Sequence, residues 1–265
     1  MRTNPRFQTD RTVGNWSPRY RTAIRGGGTT PTARTFASAS SQYLSQAAAI
    51  VPAMPFTVSA WFRDTNGTGA QGIFSSAGAV SDSEFFYLGT TAGEVVRLQS
   101  QSTAAGTVTA DTTATYTVGA WAHACAVFAS GDQRVFLNGA NKITNNGVIT
   151  PTTTRAAVGA FYGLSIGDYW EGDIAEVAIW NVILSDAEVL ALATSIEIDG
   201  VRGYPPASFI RPDALQTYWP LFGNGSPELD QSGNGKSLTL VNTPTKAANS
   251  PPVVYPIGMQ WASGS

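Results

Sequence analysis

Of 265 residues only one is cysteine, Cys125, and only one is histidine, His123. A single cysteine excludes any disulfide within the chain, and its place in an apolar run is that of an inert buried thiol. A lone histidine cannot build an imidazole metal site, and it reads as a core or rim residue. HExxH, CxxC and phosphate-loop patterns are missing, which removes zinc-protease, dithiol and nucleotide chemistry from consideration. Charge is also scarce, at 13% of residues, and lysine occurs only at 142, 236 and 246. No apolar run is long enough to span a bilayer. The opening MRTNPRFQTD has no apolar signal core, so neither membrane contact nor export is expected. Asn15, Asn66 and Asn224 begin N-x-Ser/Thr triplets, which without such a signal are taken as chance.

What is plentiful points to sheet. Twenty-seven glycines and fifteen prolines accompany a 43% hydrophobic content, the composition of many short strands joined by turns. The length suits one large all-β core. FTVSAWF, residues 56–62, alternates Phe56, Val58, Ala60 and Phe62 against Thr57, Ser59 and Trp61. GIFSS, EFFYLGTT, EVVRLQSQ and GTVTADTT continue the strand and turn rhythm, and RTFASASSQYLSQ reads as a short hairpin or strand pair. In YTVGAWAHACAVFA, small residues at 120, 122, 124 and 126 face one way, and Trp121, His123, Cys125 and Val127 the other. Asn138-Gly139 predicts a tight primed turn inside QRVFLNGANK. IAEVAIW predicts a strand with Ile174, Glu176, Ala178 and Trp180 on one face and Ala175, Val177 and Ile179 on the other. Ser185 and Glu188 then form a capping box, with Leu184 and Val189 placed as its hydrophobic staple, so a short helix over 185–194 follows. LQTYWPLFG and SLTLVNTP, either side of the turn DQSGNG, add strands that complete the sandwich, since neither fragment could enclose its own core.

Charge divides the chain. The first 35 residues hold seven arginines and one acid, Asp10, whereas the remainder holds nine basic and seventeen acidic residues. Residues 1–33 therefore read as a basic, aromatic arm ahead of a body at 34–265. Arg2, Arg6, Arg11, Arg19, Arg21 and Arg25, interleaved with Phe7, Trp16 and Tyr20, suit attachment to a neighbouring surface. The alternative is an arm folded back on its own body. The arginines are spread singly, so nucleic-acid binding is not expected.

The stretches SQYLS, FTVSAWF, GIFSS, VGAWAHACAVFASGDQRVFLNG and WEGDIAEVAIWNVILSDAEVLALA, in this order, resemble the laminin-G-like modules of the concanavalin A-like lectin/glucanase fold. Gly172, Ile174, Glu176, Val177, Ile179, Asn181, Leu184, Ser185 and Glu188 match the family's structural segment, while Ala175 stands where an aspartate is usual. The resemblance implies an all-β jelly-roll sandwich of two antiparallel sheets with one short helix. A strand and D-x-S-G-x-G turn that such modules often carry ahead of the core here comes after it. That rearranged order is similar to virion-associated proteins of bacteriophages. On this resemblance the expected role is a non-enzymatic capsid- or tail-associated decoration protein, assembled in the host cytoplasm. The arm would anchor it to a major capsid or other virion protein and to copies of itself. A carbohydrate-binding module for host surface glycans is the alternative.

One acidic run bears on a third reading. Glu171, Asp173 and Glu176 keep the E-x-D-x-x-E spacing that the glycosidase branch of the fold uses when a bulge intervenes, and two such carboxylates could serve as nucleophile and acid/base. The structural segment matches these residues more completely, so no catalysis is expected. Asp168, Tyr169, Trp170, Glu171 and Asp173 together offer a rim for a glycan, or for calcium held by Asp168 and Asp173.

Overall fold

Alternation of large and small side chains builds two stacked sheets. A computed structural model of the chain describes residues 32–51, 53–223 and 225–259. The arm expected at 1–33 lies almost wholly outside the described residues, and Arg2, Arg6, Phe7, Arg11, Trp16, Arg19, Tyr20, Arg21 and Arg25 fall there. In chain order the strands are β1 Arg34–Phe36, β2 Tyr43–Gln46, β3 Phe56–Asp64, β4 Gln71–Ala77, β5 Phe85–Thr90, β6 Val96–Ser102 and β7 Gly106–Asp111. They continue with β8 Ala122–Phe128, β9 Gln133–Leu137, β10 Ala140–Asn145, β11 Arg155–Val158, β12 Phe161–Tyr162, β13 Ile166–Gly167 and β14 Gly172–Trp180. Helix α1, Asp186–Leu192, precedes β15 Ile196–Ile198, β16 Val201–Gly203, β17 Leu215–Trp219, β18 Thr239–Val241 and β19 Thr245–Lys246.

The first sheet runs β10-β9-β8-β3-β14-β1-β19, with β17 also paired to β14, and the second runs β18-β2-β11-β4-β5-β6-β7. All pairings within the two sheets are antiparallel. Phe56, Val58, Ala60 and Phe62 of β3 meet Phe86 and Leu88 of β5 across the interior. The Phe56, Phe86 and Phe128 rings cluster with centroids about 5 Å apart, the spacing at which offset and edge-on aromatic contacts are favourable. The small residues at 122, 124 and 126 lie in this core opposite the second sheet. The primed turn forms as predicted, with Asn138 and Gly139 at φ of 53° and 71°.

Two sequence expectations change. RTFASASSQYLSQ is not a hairpin: β1 joins the first sheet and β2 the second. A single 3-10 turn at Ser38–Ser40, closed by Ser41 in the left-handed region, carries the chain between them. In β14 simple alternation fails. A bulge between Ala175 and Ala178 shifts the register against β3, and Glu176 takes φ of 56°. Ile174 therefore shares the core face with Val177 and Ile179, while Glu176 turns outward. The bulge falls where the neighbour of β14 changes from β1 to β17, and the Glu176 N–H donates to the Pro220 carbonyl. An extra residue at such a junction re-aims the strand.

The outer face of the first sheet is roofed. Helix α1 has the full capping box between Ser185 and Glu188. It buries Leu184, Val189 and Leu192 against Cys125, Val127, Phe136 and Trp180. Beside it, Trp61 and Ala175 pack under Ala33, Ala247 and Val253. His123 lies beneath this roof next to Trp61, and burial lowers its pKa to about 3, so it is a neutral packing residue at physiological pH. Among the described residues the β12–β13 hairpin covers part of the outer face of the second sheet, packing Phe161 over Ala77, Phe85 and Tyr87.

Candidate functional site

Alternation in β5, β6 and β7 sets the floor of the uncovered region. Val96, Leu98 and Ala110 point into the core, so Arg97, Gln99 and Gln101 of β6 and Thr107, Thr109 and Asp111 of β7 face outward. Registration places Phe85 beside Gln101, Tyr87 beside Gln99 and Gly89 beside Arg97. The next strand sets Thr107 beside Gln101, Thr109 beside Gln99 and Asp111 beside Arg97. Three strands thus present a grid of nine outward positions. Arg97 and Asp111 close one end as a bidentate pair, at 2.8 and 2.7 Å. Gly89 is required by its neighbours: a Cβ there would stand 2.5 Å from the Tyr87 hydroxyl end and 2.4 Å from the Gln71 carbonyl. Its absence lets the Tyr87 ring lie along the strand.

The wall is the β12–β13 hairpin. Ser75 of β4 holds it down, donating to the Ala160 carbonyl and accepting from the Tyr162 N–H. Phe161 meets Phe85 edge-on at 5.1 Å and Tyr87 at 6.3 Å. Asp82 pins the hairpin loop by accepting from the Ser165 N–H at 2.8 Å. Asp168 follows, with φ of 48° and its carbonyl bonded to the Gly72 N–H. The result is a groove of about 210 Å³ lined by Asp82, Phe85, Tyr87, Gln99, Phe161 and Asp168. The Tyr87 hydroxyl has no well-formed hydrogen bond, yet it lies near enough to Asp168 for each to move the other's titration. Burial first, then the Asp168 charge, raises the Tyr87 pKa. Desolvation by the groove walls raises that of Asp168, against the opposing pull of Tyr87 and Arg97. The Phe161 ring beside the Gln99 amide and the Asp82 and Asp168 carboxylates suits a ligand that is apolar on its faces and polar at its edges.

A larger hollow of about 430 Å³ lies between α1 and the segment after β16, lined by Leu190, Ile196, Phe209 and Ile210 among others. Its lining is almost wholly apolar, with Thr194 the only polar side chain, so it lacks groups to orient a polar ligand.

The acidic run is dispersed. Glu171 accepts from the Ser38 N–H and hydroxyl, both at 2.7 Å. Asp173, 1% exposed, is paired with Arg63 and accepts from the Thr35 hydroxyl. The bulge does put Glu176 on the same outward face as Asp173, but that face is roofed. Glu176 accepts from Tyr218, Tyr255 and the Ala207 N–H, and burial raises its pKa to about 7. Each carboxylate is therefore satisfied by protein groups.

A family model described as Laminin_G_3, concanavalin A-like lectin/glucanases superfamily, matches residues 38–190, more than half of the chain. The chain belongs to this superfamily. Every residue of the groove over β5 and β6 lies inside the matched span, whereas β1, β17, β18 and β19 lie outside it. Among solved structures, a candidate carbohydrate-binding protein from Bacteroides ovatus ATCC 8483 superposes with a TM-score of 0.61 at 15% identity, over 86% of this chain and 62% of that one. The heptameric SAP-like pentraxin of Limulus polyphemus gives 0.53 at 17% identity, over 64% and 84%. The CBM40 of the Ruminococcus gnavus IT-sialidase, bound to α2,6-sialyllactose, gives 0.50 at 12%, over 63% and 100%. At these identities the likeness is one of fold. No curated protein matches the chain.

Within this lectin-type sandwich the five residues read as a rim separate. Asp168 lines the groove. Tyr169 packs near Tyr43 at the far side of the second sheet, 6.2 Å between rings. Trp170 is wholly buried between the sheets, edge-on to Phe62, in the segment that leads into β14. Glu171 and Asp173 are held as described. Among the described residues no group of three His, Cys, Asp or Glu side chains is arranged to hold a metal ion; of the two aspartates expected for calcium, Asp168 lines the groove and Asp173 is engaged by Arg63 and Thr35. Asp82, Phe85, Tyr87, Gln99 and Phe161 were not singled out from the sequence. The alternation of EFFYLGTT signalled that Phe85 and Tyr87 share a face, but nothing local showed that face to be open.

Proposed function

We propose that the chain is a non-catalytic glycan-binding module whose ligand lies in the groove over β5 and β6. The observation that carries this reading is the groove in which the half-buried Phe161 ring converges with Asp82, Asp168 and Gln99 above the buried rings of Phe85 and Tyr87. Pyranose rings offer C–H faces to aromatic side chains and hydroxyl edges to carboxylates and amides. Superfamily membership supports the reading, as do the candidate carbohydrate-binding protein of Bacteroides and the sialyllactose-bound Ruminococcus module. Against catalysis stands the sequestration of Glu171, Asp173 and Glu176 by Ser38, Arg63, Tyr218 and Tyr255.

The decisive measurement is calorimetric titration of the full chain with an oligosaccharide panel. Binding is expected for at least one glycan, with Phe161→Ala and Tyr87→Ala each weakening it about tenfold or more, since one good aromatic contact contributes about 1 kcal/mol or more. Unchanged affinity in both variants, with folding verified by circular dichroism, would remove the groove from the reading.

Mounting on a virus particle through residues 1–33 is a second proposal, and its motive is the charge split between arm and body. The groove and the comparisons favour glycan recognition as the body's role, and particle attachment would be a property of the arm alone. Co-sedimentation of full-length and arm-truncated chains with candidate particles tests it. Equal binding by both sinks the attachment role.

A further inference from the structure

We infer that the groove, read as the glycan site, selects uncharged oligosaccharides and holds several consecutive sugar units laid across β6 and β7. The inference rests on the glycan-binding reading and adds charge selectivity and length to it. Two kinds of observation carry it: the charges that converge on the groove, and the polar positions that continue its floor.

Charge comes first. The lining carries two carboxyl groups, Asp82 and Asp168, and no Lys, Arg or His among the described residues. Arg97, on the outward face of β6, holds both oxygens of Asp111 in a fork, so its charge is offset at the floor. Arg155 of β11 is stacked on Tyr162 behind the hairpin and bonded to the Ala79 carbonyl. Among the described lining residues a sialate, uronate or sulfate would therefore meet two carboxylates and no cation. Like charges brought together at a partly desolvated surface cost binding energy. Neutral hydroxyls meet the same carboxylates as acceptors, and charge-assisted hydrogen bonds of that kind are the stronger ones.

Length follows from the register. Beyond Tyr87 the floor continues outward as Gln99 and Thr109, and, one step along the strands, as Gln101 and Thr107. The wall ends at the hairpin, and β7 is the last strand of its sheet, so among the described residues no further strand closes the groove on that side. A chain stacked on Phe161 can therefore continue over the amides and hydroxyls, each sugar unit meeting side chains that offer both donors and acceptors. A blind pocket for one terminal sugar would instead need a wall at this end.

The test uses the intact chain. Calorimetric titrations would run neutral oligosaccharides from disaccharide to hexasaccharide (xylan, mannan, cellulose, galactan and arabinan series) beside 3′-sialyllactose, 6′-sialyllactose and oligogalacturonates. The expected result is a neutral series whose affinity climbs about tenfold or more between disaccharide and tetrasaccharide, with every acidic probe weaker by about the same factor. Added salt should narrow the gap, because it screens the repulsion. Asp168→Asn should weaken neutral binding and strengthen acidic binding relative to it. A Gln99→Ala, Gln101→Ala double variant should weaken the tetrasaccharide while leaving the disaccharide nearly unchanged. An acidic glycan that binds as tightly as the best neutral one overturns the charge selectivity, and affinity independent of length overturns the extended mode. Failure of every probe, neutral and acidic, would overturn the glycan site itself together with this inference.

Discussion

Glu176 is ionisable, fully buried and surrounded by two tyrosine hydroxyls and one backbone N–H, so its charge is coupled to folding. Burial raises its pKa from 4.5 to about 7 in the folded chain. Between those values the folded state binds more protons than the unfolded state, and stability must fall as pH rises. The contribution is fully present below about pH 4.5 and is lost as pH passes about 7, a change of roughly 3 kcal/mol from the shift alone. Denaturant titrations from pH 4 to 8 should show that slope in the wild type relative to Glu176→Gln, in which it is missing. A difference between the two that does not vary with pH would contradict it. Gly172 makes a second residue-scale prediction. Its φ of 132° and a Cβ position 2.1 Å from the Arg63 carbonyl leave no room for a side chain. Gly172→Ala should cost about 2 kcal/mol or more, read from the unfolding midpoint, because both backbone and neighbour must yield.

At the scale of elements, the first strand and the C-terminal segment depend on each other. Arg34 of β1, 3% exposed, donates to Glu228 and to the carbonyls of Pro244 and Gly225. Burial raises the Glu228 pKa and the Arg34 charge opposes that rise. Removing one partner leaves a buried charge uncompensated, which typically costs about 3–5 kcal/mol. Arg34→Ala should therefore show a loss of that order in chemical denaturation, while an Arg34→Met, Glu228→Leu pair should recover part of it. Helix α1 shows how much an element can reveal before folding: Ser185, Glu188, Leu184 and Val189 announced cap and staple within six residues, and the contacts are local. The β14 bulge shows the opposite. Ile174, Glu176 and Ala178 alternate as an unbroken strand would, and the extra residue is forced by a partner change from β1 to β17, whose residues lie far away in the chain.

For the whole molecule, β17, β18 and β19 add to both sheets, and Trp219, Leu221 and Leu238 enter the main core. A chain ending at residue 214 would leave that apolar surface open, so it should be insoluble or lack a cooperative unfolding transition. A chain beginning at Thr32 keeps every described contact and should match the full length in circular dichroism and in glycan titration. Weaker glycan binding by the shorter chain would mean that the arm belongs to the site. By itself the sequence determined the all-β class, the primed turn, the capped helix and the small-residue core face of β8, because strand period, turn chemistry and capping are properties of neighbouring residues. It also determined the superfamily, since the order of those local signals is its signature. Tertiary structure alone decided which outward faces stay open. The faces of Asp173 and Tyr87 read alike in their strands, yet Ala247, Val253, Tyr255 and the helix cover the first, while among the described residues the second receives the short β12–β13 hairpin. The groove exists because of that difference in cover, and apart from the helix that follows β14 the covering segments lie far along the chain from the strands they roof.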